Sequence, residues 1–120
     1  MDKKLVGRFG EQAAAEYLKK KQYKIIGLNY YCRFGEIDVI AENKKYIVFA
    51  EVKLRKSDSF AEAKEFVTRS KQEKIIKTAS IWLQTNETKL QPRFDVIEIY
   101  APDGTASNTV RINHIENAFQ

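Results

Sequence analysis

Apolar positions along this chain follow two rhythms. Near the start, Leu5, Phe9, Ala13 and Tyr17 recur every four residues, and Ala14, Ala15 and Leu18 widen their stripe. That spacing predicts a helix over 4–21. Lys19, Lys20 and Lys21 close it, where cations suit the negative end of the helix dipole. The rhythm then changes. Tyr23–Tyr31 predicts a strand with Gly27 as a bulge candidate, and Gly35–Ala41 alternates with a period of two. The polar stretch Glu42-Asn43-Lys44-Lys45 predicts a turn, and Tyr46–Lys53 a third strand paired antiparallel to the second.

The helical rhythm returns later. Residues 54–68 are mixed and charged and predict a loop with a helical piece. Thr68 is placed to cap a helix from Arg69 to Gln84, whose apolar face is Ile75, Ala79, Trp82 and Leu83. Lys71 lies four residues before Ile75 on that stripe, so its ammonium either snorkels over the core or faces a site. Arg93–Tyr100 predicts a fourth strand, Pro102-Asp103-Gly104 a turn and Thr109–Ile115 a fifth strand. Helix, three strands, helix, two strands predicts one α/β domain over 1–120, a mixed sheet of about five strands flanked by helices.

Composition narrows the chemistry. A chain of 120 residues can bury one core unaided. One cysteine, Cys32, and one histidine, His114, exclude an intrachain disulfide, a cysteine-based zinc site and a His-rich metal site. Cys32 reads as a packed thiol, His114 as structural and Asp95 as half of a structural ion pair. No run approaches the ~20 apolar residues of a membrane span, and none marks a secretory signal, so a cytoplasmic protein without a membrane partner is expected. The net charge of +5 is compatible with a polyanionic partner but shifts the picture only slightly.

The informative segment is Phe49-Ala50-Glu51-Val52-Lys53. Glu51 and Lys53 are two apart on a strand and project from the face that Ile47 and Phe49 share. Opposite charges closing an apolar strand need a partner, a metal or water. A strand-end salt bridge and a catalytic pair both meet that need. Asp38, on the neighbouring strand of the hairpin, sharpens the second reading. Two nearby carboxylates repel unless they share a cation. A hard divalent ion such as Mg²⁺ uses such a pair, and Lys53 would orient a water or stabilise developing charge. Glu11 shares its helix flank with Ala14, Ala15 and Leu18. It serves either the helix dipole or the rim of a metal site. Arg8, Arg33, Arg55 and Lys56 are phosphate-contact candidates, each also explicable as a solvated surface charge, and Lys71 joins them if it faces the site. Tyr30, Tyr31 and Phe34 read as strand packing ahead of base stacking.

These residues carry a family likeness. Gly7-Arg8-Phe9-Gly10-Glu11 with Ala14 and Tyr17-Leu18, Asn29, Arg33-Phe34-Gly35-Glu36-Ile37-Asp38-Val39-Ile40, Val48–Arg55, Lys71-Gln72, Arg93-Phe94-Asp95-Val96 and His114–Phe119 resemble the YraN-type family of uncharacterised bacterial proteins, UPF0102. The likeness spans nearly the whole chain. That family in turn resembles the PD-(D/E)xK nucleases, especially archaeal-type Holliday junction resolvases. The resemblance implies a restriction-endonuclease-like fold and cleavage of branched or structured DNA with Mg²⁺ or Mn²⁺. By position, Asp38 matches the motif aspartate, Glu51 and Lys53 the E-x-K, and Glu11 the extra helix glutamate; Ile37 replaces the proline, which is not a ligand. A symmetric homodimer is implied as well, since two strands must be cut. A non-catalytic nucleic-acid-binding module and a protein–protein adaptor are the competing expectations.

Overall fold

Helix α1 (Lys3–Lys20) leads into β1 (Lys24–Cys32), β2 (Gly35–Glu42) and β3 (Tyr46–Arg55). Helix α2 (Arg69–Thr85) then crosses to β4 (Gln91–Tyr100), and β5 (Arg111–Phe119) closes the chain. The computed structural model describes residues 3–55, 67–100 and 110–120. The helical piece within 54–68 and the turn at Pro102-Asp103-Gly104 therefore lie outside the described residues. So does Lys56.

The strands form one five-stranded sheet in the order β1-β2-β3-β4-β5. Every neighbouring pair is antiparallel except β3 and β4, which run parallel with α2 as their crossover. The α/β class and the mixed sheet agree with the sequence pattern. Thr68 caps α2 as expected, its hydroxyl accepting the Lys71 N–H at 3.2 Å. A register shift between Ile25 and Gly27 bears out the bulge. Strand boundaries moved at the ends: β3 continues to Arg55, and β5 starts at Arg111 and runs on to Phe119. No described helix is long and apolar enough to cross a membrane.

Each helix covers one face of the sheet. On the α1 side, Ala14 and Leu18 pack with Val39, Ala41, Val48, Ala50, Ile97 and Ile99. On the α2 side, Ile75 and Ala79 pack with Ile37, Ile40, Ile47, Phe49 and Val96. Trp82 joins that second core, as its helical spacing predicts. Strict alternation fails in β2. Val39 and Ala41 face α1 while Ile40 faces α2, so Ile37 belongs on the α1 side by parity, yet it packs with Ile40. The break falls at Asp38. Pairing of β2 with β3 begins only at Val39↔Ala50, and Asn29, which stands opposite Asp38 in the β1 register, has a left-handed φ of 53°. Asn accepts that conformation at low cost. An irregularity of this kind re-aims one side chain out of the pleat.

Candidate active site

The re-aimed side chain is Asp38. Where β2 parts from β3, its carboxylate takes up the ladder's missing bond, and the Val52 N–H donates to Oδ2 at 2.8 Å. Helix α1 brings Glu11 to the same point. Gly10, buried against Val52 and Leu54, leaves no side chain between the helix and β3. Glu36, near the start of β2, completes an acidic cluster. Carboxylate oxygens of Glu11, Glu36 and Asp38 all lie within 4.8 Å of one another. The side-chain amide of Asn29 donates to Glu11 Oε1 at 3.1 Å, which aims that carboxylate inward.

Glu51 lines the same cleft, together with Gly35, Glu36, Asp38, Lys71, Lys74 and Ile75. Its carboxylate is buried, and it is held by Lys71 Nζ at 2.6 Å and Lys53 Nζ at 4.0 Å. The electrostatics follow from this crowding. Burial, then the charges of Glu51, Glu11 and Glu36, push the Asp38 carboxyl up to about 7, against the opposing pull of the Val52 N–H. Lys53 is shifted down, by burial first and then by the neighbouring Lys71 ammonium. Lys71 is shifted up: burial is its largest influence and acts downward, but the hydrogen bond and charge of Glu51 outweigh it.

Four predicted site residues thus meet in one place: Glu11, Asp38, Glu51 and Lys53. The Glu11 carboxylate lies beside those of Asp38 and Glu36, all within 4.8 Å of one another, and accepts from Asn29. Lys71 joins them, which resolves the two readings of its position in favour of the cleft. The phosphate-contact candidates divide. Arg8 and Arg33 are exposed. Arg55 is turned into the protein, its Nε 3.2 Å from the buried Glu98 carboxylate, because a buried glutamate needs a cation more than the solvent does. Two members, Glu36 and Asn29, belong to the segments that carry the family likeness but were given no site role from the sequence. Glu36 stands two residues before Asp38, and Asn29 interrupts a strand of β-formers. Both signals were present, but neither becomes meaningful until β1 and β2 are in register.

Other expectations were met away from the cleft. Asp95 forms a buried pair with Arg93 at 2.8 Å and a contact with His114 Nε2 at 2.6 Å. Cys32 Sγ donates to the Thr78 hydroxyl at 3.7 Å. Tyr31 departs from the strand-packing expectation, being 76% exposed on the edge strand β1.

Comparison with known proteins agrees with the family likeness. Residues 10–99 match the family described as uncharacterised protein family UPF0102. A UPF0102 protein of Caldanaerobacter subterraneus subsp. tengcongensis is 47% identical, covering 99% of this chain and 98% of its own. One from Caldicellulosiruptor bescii is 46% identical over 99% of this chain and 100% of its own. One from Clostridium botulinum strain Loch Maree is 41% identical over 96% and 94%. This chain therefore belongs to the UPF0102 family.

Proposed function

We propose that this protein is a cytoplasmic, metal-dependent endonuclease that hydrolyses phosphodiester bonds of branched or otherwise structured DNA. One observation carries the reading: carboxylates from α1, β2 and β3 gather at a cleft lined by Lys71, with the Lys53 ammonium 4.0 Å from Glu51. The donor set fits Mg²⁺ or Mn²⁺, since every acidic group there offers hard oxygen. Burial first, and then the charges of Glu51, Glu11 and Glu36, raise the proton affinity of Asp38, and a bound cation would offset both.

Asp38 and Glu51 would hold the ion, with Glu11 and Glu36 ordering water around it. A bound divalent ion supplies charge neutralisation at the phosphate and a more acidic water. The chain's own residues do the rest. Lys53, whose pKa is pulled down by burial and then by the Lys71 charge, is suited to orient that water and to stabilise negative charge developing on the phosphate. Lys71 keeps its charge; released from Glu51, it is placed to meet a phosphate oxygen. The likeness of the sequence motifs to PD-(D/E)xK nucleases supports the same assignment, and cutting two strands would call for a homodimer.

The test is a panel of junction, flap, single-stranded and duplex DNA incubated with Mg²⁺ or Mn²⁺. Cleavage is expected from wild type, and Glu11→Gln should lower it strongly while DNA binding stays near wild type. A non-catalytic DNA-binding module is the second reading. It is favoured by the Lys71–Glu51 contact, which already satisfies one carboxylate with a cation of the protein. Binding without cleavage across the whole panel would establish that second reading.

A further inference from the structure

Beside the cleft runs a second groove, between the β1–β2 tip and α2. Its walls include Arg33, Phe34, Lys74, Ile76 and Lys77. Lys74 borders the acidic cleft as well, so the two depressions meet at that residue. We propose that this groove is a track for an unpaired DNA strand, with Phe34 as a stacking platform for a base next to the phosphate in the cleft. The proposal deepens the nuclease reading and rests on it for the position of that phosphate.

Three features point this way. Phe34 is a partly exposed aromatic at the hairpin tip and is not among the side chains packed on the α2-side core. The Arg33 guanidinium and the Lys77 ammonium lie over its ring, 4.8 and 4.6 Å from the centroid, so a stacking base takes the place of one of them and leaves that cation to a neighbouring phosphate. Among the described residues, Arg33, Lys74 and Lys77 form no ion pair with a carboxylate. Glu73, also on the groove wall, is paired with Arg69 at 3.4 Å. Cations interleaved with an aromatic along a path of several residues are what binds a single strand: phosphates take the charges and a base takes the ring.

The platform is also held in place. A Cβ at Gly35 would lie 3.2 Å from the Thr78 hydroxyl and 3.4 Å from Lys74 Cβ, so the glycine lets the tip rest directly on α2. The Phe34 N–H donates to Cys32 Sγ at 3.4 Å, and that thiol donates to Thr78. Phe34 therefore starts from a fixed position, which lowers the ordering cost of binding. A fully paired duplex offers no free base face to the ring, so the strand must be unpaired there. Flaps, junction branch points and single strands meet that condition.

The experiment uses the full chain in EDTA, so that binding is read apart from cleavage. Single-stranded oligonucleotides carry 2-aminopurine at successive positions, followed by fluorescence and by anisotropy. Quenching confined to one or two positions is expected. Phe34→Ala should abolish it and weaken affinity roughly five- to hundredfold. Phe34→Tyr should retain both. Lys77→Glu, at an exposed position, should lower the salt slope of binding by about one and serves if Phe34→Ala does not fold. Absent quenching in wild type, or quenching and affinity unchanged in Phe34→Ala and Lys77→Glu, would overturn the track. Quenching as expected with no metal-dependent cleavage would overturn the nuclease reading alone. Metal-dependent cleavage indifferent to both variants would overturn the track alone.

Discussion

Asp95 and Asp38 are both aspartates in strands of one sheet, and their surroundings are opposite. Asp95 has no exposed surface, yet it accepts from Arg93 Nε and Nη2 at 2.9 and 2.8 Å, from the Asn117 N–H at 3.0 Å, and from His114 at 2.6 Å. Burial, its largest single influence, would raise its pKa, but the His114, Arg93 and Asn117 hydrogen bonds together hold it below the usual range. The partners are themselves anchored, Arg93 by the Tyr23 hydroxyl at 2.7 Å and His114 by the Tyr17 hydroxyl at 3.1 Å. Asp38 accepts the Val52 N–H and otherwise faces Glu51, Glu11 and Glu36. One region spends its charges on holding the fold together. The other accumulates like charge beside a cleft, an arrangement that stability alone does not favour.

The largest expected effect separates the two. Asp95→Ala leaves the buried Arg93 with only the exposed Glu116 carboxylate, 3.4 Å away, as counter-charge and should cost about 3 kcal/mol or more, read as a loss in urea or thermal unfolding. Asp38→Asn removes a crowded charge, so without metal its melting temperature should equal or exceed that of wild type. Its metal-dependent cleavage should nevertheless fall at least ~100-fold, the loss of several kcal/mol of charge stabilisation. A large stability loss in Asp38→Asn would make the two aspartates alike and the contrast void.

Acidity sharpens the comparison next. Asp38 keeps its proton in the folded state up to about 7, whereas an unfolded aspartate loses it near pH ~4. The folded protein binds the extra proton between those values, so stability declines as pH rises through that window. Asp95, shifted down, contributes the other way: its stabilisation is present above the unfolded pKa and is lost on acidification. Asp38→Asn should thus flatten the decline of stability between pH ~4 and ~7, and Asp95→Asn should not. Unfolding titrations across that range check both. A weaker effect follows from competition for the same carboxylates. Mn²⁺ affinity of wild type should rise from pH ~5 to ~8, measured by calorimetry, as the proton on Asp38 is displaced.

The smallest effect concerns Lys71. Lys71→Met leaves the buried Glu51 carboxylate with Lys53, 4.0 Å away, as its counter-charge, so it should lower stability by about 1–3 kcal/mol, less than Asp95→Ala. It also removes the cation now on Glu51, so Mn²⁺ should bind more tightly while cleavage falls. Weaker Mn²⁺ binding in Lys71→Met would show that this lysine supports the ion's site instead of competing for it.

Much of this was legible along the chain. Local pattern identified both helices, the β2–β3 hairpin and the Thr68 cap, because periodicity and capping depend on neighbours in sequence. An acid and a lysine closing an apolar strand identified Glu51 and Lys53. A structural ion pair was expected for Asp95, and its partner is Arg93, two residues earlier on the same face of the strand. The roles of Glu36 and Asn29 were not legible, although both sit in the segments of the family likeness, because exposed acids near strand ends and asparagines beside bulges are ordinary features. Their meaning arises from the Asn29–Glu11 contact across a helix and an edge strand.

What the sequence determined by itself was the elements, the two apolar faces and the list of residues capable of the chemistry. Those follow from propensities and spacing, which act over a few residues. Only the tertiary structure decided which charges neutralise one another and which are left crowded. It took Arg55 for Glu98, turned Lys71 onto Glu51, and broke the β2 alternation so that Asp38 meets Glu11 and Glu36. Electrostatic free energy depends on distance through space and on burial, and neither is a property of the order of residues along the chain.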